Sequence, residues 1–398
     1  MELTARTKPG SELVELAEEL AGSFADTVGQ HDRSGEYIRD HLTTLVDNGW
    51  LSAPVPAEFG GRGVRSTHDL FVAASRLARG DAASTIGVSM HVVVVTNMVR
   101  QYLAADGEEQ AALGGVLDLL VSGRVVMAAA ISEPGQDLTR PSTVAVPEGG
   151  RWTVNGSKIF CTMSPAADIF LASVTVAGPK GERYAYVAIP SSAPGVVVHD
   201  DWDALGMRTS GSNSVTFTDV TIDASAFMGG FPSGSAVGYA SRNLASGGFH
   251  AAASLGIAES AHTAAVERLR GRGTSDGSTR SLVADNEIDL HSARAALARA
   301  GIVLDDHDEE FRGRRAGDDD ILAVFGEAQA AKAVVSAAAM RIVDRSLLLS
   351  GGAGFRAGSA LARAVGDVRA LMFMNPLNTT RAATFLADLA LGASPTLA

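Results

Sequence analysis

The chain has 398 residues, a formal net charge of −12 and a single cysteine, Cys161. The excess of acid argues against nucleic-acid and anionic-membrane partners, and one cysteine excludes both an internal disulfide framework and a cysteine-built zinc site. With 46% apolar and 20% charged residues it is composed like an ordinary globular protein, long enough for two or three domains. Nothing between Met1 and Gly10 resembles a signal peptide, and apolar runs such as His91 to Val95 fall short of a membrane span. A soluble, cytoplasmic protein is expected.

From Ser11 to about Gly123 the pattern is helical. Leu13, Leu16, Leu20 and Phe24 recur at helical spacing, with Ser11 placed to cap the first turn. A second helix over His41 to Leu51 should stop at Gly49, before the breakers Pro54, Pro56, Gly60 and Gly61. Val125 to Ile131 suits a strand buried on both faces, and Glu133-Pro134-Gly135 a tight turn. Trp152 to Phe160 alternates around Asn155-Gly156, a strong hairpin signal. Alternation over Arg183 to Ile189 and Ser214 to Val220 predicts half-buried strands, with turns at Pro194-Gly195 and Gly211. Beyond Phe231 helix returns. Gly247 to Arg270 is alanine-rich, and Leu290, Ala293, Leu297 and Ala300 form an apolar stripe, as do Ala331, Val334, Val335 and Ala338. These segments predict an antiparallel bundle, with Asp305 to Asp320 as a charged, solvated loop.

Several stretches carry a resemblance. ISEPG followed by Asp137, then VNGSKIFCT and AAD ending at Asp168, looks like the flavin-binding β region of the acyl-CoA dehydrogenase family. LVDNGWLSAPVPAEFGGRGV with DLFVAASRLARGDAASTIGVSMH resembles that family's N-terminal helical domain, and WDALGMRTSGSNSVTFTDVTID its closing β segment. The resemblance implies an α+β, mostly α fold: an N-terminal helical domain (1–124), a middle β-barrel-like domain (125–232) and a C-terminal four-helix bundle (233–398). It also implies FAD as cofactor and assembly as a homo-oligomer, dimer or tetramer.

In the family, two loops of the β domain hold the flavin ring. The matching residues are Ile131, Ser132 and Glu133 on one loop, and Phe160, Cys161 and Thr162 on the other. Phe160 can supply an apolar wall and the Ser132 and Thr162 hydroxyls can meet a polar edge, although a Thr beside an aromatic residue is also ordinary strand chemistry. Strand alternation turns Cys161 the other way, as an inert small hydrophobe. The run LLLSGGAGFRAG, with Gly351 and Gly352, resembles the family's glycine-rich segment near the flavin phosphates of a neighbouring subunit; a helix C-cap and loop is its plainer meaning. Leu348 replaces the usual Gln there, and RLRGRGT at Arg268 to Thr274 replaces the family's phosphate clamp. Gln136-Asp137 shortens a turn that often helps hold a thioester arm.

The largest departure is the base. Family dehydrogenases remove the substrate's α-proton with a glutamate; in GDVRALMFMNPLNTT its place is taken by Asn375, and the alternative position on the first long helix of the last domain by Ser246. Neither accepts a proton at neutral pH, and losing a general base costs ~10²–10⁴ in rate. His250, one turn after Ser246, faces the same way and is the candidate substitute, as a base or hydrogen-bonding group titrating near neutrality, against the plainer alternative of a satisfied, half-buried histidine. Glu259, expected to face solvent or another helix, and Asp203 are weaker candidates.

Three functions remain. The first is an FAD-dependent dehydrogenase oxidising an acyl thioester, on CoA or a carrier protein, at Cα–Cβ. The second is a monooxygenase of the same fold that uses reduced flavin and oxygen and needs no α-proton base. The third is an inactive paralogue. Implied partners are a small-molecule or acyl-thioester substrate and an electron-transfer or flavin-reductase protein.

Overall fold

A computed structural model describes residues 2–135, 137–178, 181–273 and 276–397. Gln136 of the shortened turn and Thr274 of the RLRGRGT run lie outside them.

Five helices come first: α1 (Lys8–Ser34), α2 (Arg39–Asp47), α3 (Thr67–Leu77), α4 (Ala82–Ala104) and α5 (Gly107–Ser122). The first starts earlier than its sequence suggests. Thr7, not Ser11, is the N-cap; its hydroxyl accepts from Gly10 N, and Pro9 sits in the first turn where its missing N–H costs nothing. Ser11 instead bonds the Thr7 carbonyl from inside the helix. By length and composition α4 could cross a membrane, as could Asp318–Ala353, but both are largely buried in the protein, as core helices are.

Eight strands follow: β1 (Met127–Ala130), β2 (Val144–Glu148), β3 (Arg151–Cys161), β4 (Ile169–Gly178), β5 (Gly181–Pro190), β6 (Val196–Val198), β7 (Asn213–Ile222) and β8 (Phe227–Pro232). They form one sheet in the order β6-β7-β3-β2-β4-β5-β8, with β1 also on β4. The hairpin expected at Asn155-Gly156 is not there. The turn between β2 and β3 is Gly149-Gly150, both at positive φ, and β3 runs straight through Asn155. Gly156 marks a register shift against β7, and a Cβ on it would come within 2.3 Å of Thr143 Oγ1, so close backbone approach explains the glycine. β1 and β2 both lie parallel to β4, at its two ends, so residues 131–143 leave the sheet between them and return.

Six helices complete the chain: α6 (Ala236–Arg242), α7 (Ser246–Arg272), α8 (Gly277–Glu310), α9 (Asp318–Ser350), α10 (Ala360–Ala370) and α11 (Thr379–Ala390). Three long helices, α7, α8 and α9, pack together, and the short α10 and α11 close the group against α9. The charged loop is shorter than predicted: α8 continues to Glu310 and α9 starts at Asp318. Asp305 is helical and accepts from Ser66 Oγ and Thr67 N, so it caps α3 rather than meeting water. In the second apolar stripe Ala331, Val335 and Ala338 are buried, while Val334 is exposed. The two helical ends of the chain share one core, in which Leu13, Phe71 and Leu77 pack with Phe249, Leu297 and Val335; the sheet has its own, around Val154, Phe170 and Val187.

Candidate active site

A cavity of about 790 Å³ opens where the sheet meets the helices, within the size range of small-molecule sites. Its walls come from α4, the ends of β1 and β3, the loop over 202–207, the α6–α7 region and the segment 366–381.

Ile131, Ser132, Phe160 and Thr162 all line it. The two loops that carry them are tied directly, because Ile159 N donates to Ser132 O at 2.9 Å. At Phe160 the strand turns through φ of 55° beside a register shift, which leaves the ring 57% exposed while Cys161 points into the sheet core. Burial pushes the Cys161 thiol up to about 12, so it is inert. The Phe160 ring meets Trp202 edge-on at 6.0 Å, and Trp202 Nε1 donates to Met207 O. Thr162 Oγ1 and Ser212 Oγ lie 2.9 Å apart, and Ser212 also pairs with Ser210. An aromatic wall beside a set of hydroxyls fits the flat, polar-edged ring of a flavin.

Glu133 touches the cavity but is already engaged. It is buried, with Lys158 Nζ at 2.6 Å, and it accepts from the backbone and hydroxyl of Thr143. Burial works against its carboxylate, but Lys158 and these donors hold its pKa below the usual value; burial takes Lys158 down to about 8. The pair anchors the 131–143 excursion to β3.

Asn375 lines the cavity and donates from Nδ2 to Ser132 Oγ at 2.8 Å. Its segment is pinned from behind by Lys332 on α9, whose Nζ donates to the carbonyls of Met374 and Leu377. Lys332 has no carboxylate partner among the described residues, and burial pulls its pKa down to about 7.

Ser246 and His250 share a face of α7 and both line the cavity. The expectation that His250 titrates near neutrality is overturned. It is 2% exposed with Nδ1 unpartnered, and burial, then the Lys332 charge, holds its pKa well below 6.5. A neutral imidazole of that kind is a weak base. Asp203 reaches the rim, but its carboxylate is largely in solvent and pairs with Arg208. Glu259 is fully committed elsewhere, buried among Arg76, Arg79 and Arg294.

Gly351 and Gly352 do not join the site. They form an exposed turn after α9, outside the cavity wall, so any contact they make with a flavin would be to that of a second copy. Trp202, Arg242 and Lys332 escaped sequence reasoning. Trp202 stands beside the LGMR match and could have been found; nothing local distinguishes Arg242 or Lys332.

Three family profiles match in sequence order: acyl-CoA dehydrogenase N-terminal domain over 11–112, middle domain over 128–220 and C-terminal domain over 238–375. The chain belongs to the acyl-CoA dehydrogenase family. Its flavin-dependent members include dehydrogenases and oxygen-using enzymes, and this chain is an oxidoreductase of that group. It is 31% identical to the amino sugar nitrososynthase RubN8 of Streptomyces rubradiris, over 98% of this chain and 92% of that one. It is 28% identical to the short-chain specific acyl-CoA dehydrogenase of Megasphaera elsdenii, over 87% and 88%. Among solved structures, KijD3 in complex with FMN and dTDP-3-amino-2,3,6-trideoxy-4-keto-3-methyl-D-glucose superposes with a TM-score of 0.87 at 27% identity, covering 98% of this chain and 96% of that one.

Proposed function

We propose that this protein is a flavin-dependent monooxygenase that oxidises the amino group of a nucleotide-linked amino sugar, with FMN rather than FAD as the flavin. The observation that carries the proposal is that the cavity has no free base among the described residues. Asn375 is an amide bonded to Ser132, Glu133 is paired with Lys158, Asp203 pairs with Arg208 in solvent, and His250 is held neutral. Desaturation at Cα–Cβ needs a group to take the α-proton; oxidation of an amine does not. The likeness to RubN8 and to KijD3 with FMN and an amino sugar supports the same choice.

When bound, the reduced flavin supplies electrons and activates dioxygen. The chain's own residues do the rest. Phe160 and Trp202 would wall the ring, Ser132 and Thr162 would meet its polar edge, and Ile86, Met90 and Val93 of α4 make that side of the cavity apolar. His250, held neutral, can accept a hydrogen bond from an amine N–H, which leaves the nitrogen lone pair free to react.

The test supplies FMN, a flavin reductase and NADH, and follows a dTDP-amino sugar by mass spectrometry. A product carrying one added oxygen is expected. Anaerobic bleaching of bound flavin by an acyl-CoA, with no oxygenated sugar, would instead establish the dehydrogenase. The exposed Leu348 and Phe355, beside Gly351 and Gly352, would be covered in a homo-oligomer, which light scattering would register as a mass above that of one chain.

A further inference from the structure

Arg242 closes α6, and its carbonyl accepts from Asn97 Nδ2 at 2.8 Å. Its half-buried side chain lines the cavity, yet it has no carboxylate partner and no hydrogen bond among the described residues. Another arginine of the wall, Arg369, is by contrast held by Asp344 and the Val365 carbonyl. The Arg242 guanidinium lies over Gly229 of β8, where an added Cβ would come within 2.7 Å of Nη2. The glycine leaves it room. A half-buried guanidinium without a counter-ion is poorly solvated and calls for an anion, and its planar fork suits phosphate oxygens. In a chain of net charge −12 the general field repels a phosphorylated ligand, so a local cation has to hold it.

The flavin also carries a phosphate. Phe160 lies near the end of β3, four places from β8 and Gly229 in the strand order, while Ser132 follows β1, whose partner β4 is two places from β8, so direct competition between ligands has to tell the two phosphates apart. We propose that Arg242 is the phosphate-binding residue of the substrate subsite, gripping the diphosphate of a nucleotide-linked substrate where α6 meets β8 at the cavity wall. This rests on the amino-sugar reading above for the identity of the ligand, but not for the presence of an anion site.

Calorimetry on the intact protein would compare dTDP, thymidine, inorganic pyrophosphate and FMN, in the wild type, Arg242→Gln and Arg242→Lys. Wild type should bind dTDP more tightly than thymidine, and added salt should weaken dTDP but not thymidine. Arg242→Gln should weaken dTDP and pyrophosphate by roughly 10–100-fold, the range of hydrogen bonds to charged groups, with FMN and thymidine unchanged and Arg242→Lys in between. The proposal is overturned if the glutamine variant weakens FMN instead, if dTDP and pyrophosphate are unaffected, or if the wild type binds neither. Arg242-dependent binding of pyrophosphate without dTDP binding or amine oxidation would uphold the anion site while removing the nucleotide-sugar reading. Should Arg242→Gln fail to fold, Arg242→Lys carries the test: weaker dTDP and pyrophosphate with unchanged FMN upholds the proposal, and unchanged dTDP and pyrophosphate overturns it.

Discussion

Single residues set the proton chemistry of this site. His250 is kept neutral by burial and by Lys332, so the turnover profile between about pH 6 and 8 should carry no inflection from it, 6.5 being the ordinary value that burial lowers. Wild type and His250→Asn should therefore give profiles of the same shape, and an inflection near pH 6.5 that the variant abolishes would restore His250 as a titrating base. Asp367 behaves in the opposite sense. It is buried on α10 and accepts from Met207 N, and burial, reinforced by Asp32 and Asp81, raises its pKa from 3.8 to about 7 despite that donor and Arg363. An acid whose folded pKa is raised contributes stability that is full below its unfolded value and is lost as pH rises through the folded one. Asp367's own contribution to Tm should fall as pH rises from 3.8 towards about 7, so the Tm of Asp367→Asn should gain on that of the wild type across that range. Equal slopes in the two proteins would remove Asp367 as the cause.

Elements position these residues, and glycines decide two of the junctions. Gly156 combines φ of 157° with a Cβ position 2.3 Å from Thr143 Oγ1, so Gly156→Ala should cost roughly 2–4 kcal/mol through strain and overpacking. Gly149, at φ of 59° with open space around it, should cost only about 1 kcal/mol when changed to Ala. Urea unfolding of the two variants measures the difference, and equal losses would mean that the bulge is not tightly packed. The same pair explains a misplaced turn. Asn-Gly is a strong turn signal in isolation, but β7 pairs with β3 on both sides of Asn155 and holds it extended, while Gly149-Gly150 makes the turn instead. Alternation and helical spacing were otherwise legible, since β5, β7 and α7 lie where period and propensity put them.

At the scale of the whole molecule, a buried carboxylate helps fasten the N-terminal helices to the last bundle, beside the shared core and the Asp305 cap on α3. Glu259 on α7 meets Arg76 and Arg79 at the end of α3 and Arg294 on α8. Glu259→Gln leaves buried guanidinium charge unbalanced and should cost about 3 kcal/mol or more, read as a lower urea midpoint; a change under about 1 kcal/mol would show that solvent or Glu2 and Glu18 make up the loss. By itself the sequence determined the order of helices, sheet and helices, the family, and four residues that line the cavity, Ile131, Ser132, Phe160 and Thr162. Those follow from local periodicity and from continuous motifs, which survive in a linear string. It also showed that Asn375 and Ser246 are not bases. Only the tertiary structure decided that Asn375 bonds Ser132, that Lys332 pins the segment carrying it, that His250 is neutral and that the Arg242 side chain has no partner among the described residues. Each of these depends on burial or on a partner far away in the chain, 243 residues for Asn375 and Ser132. Desolvation and charge pairing act through space, and no spacing along the sequence encodes them.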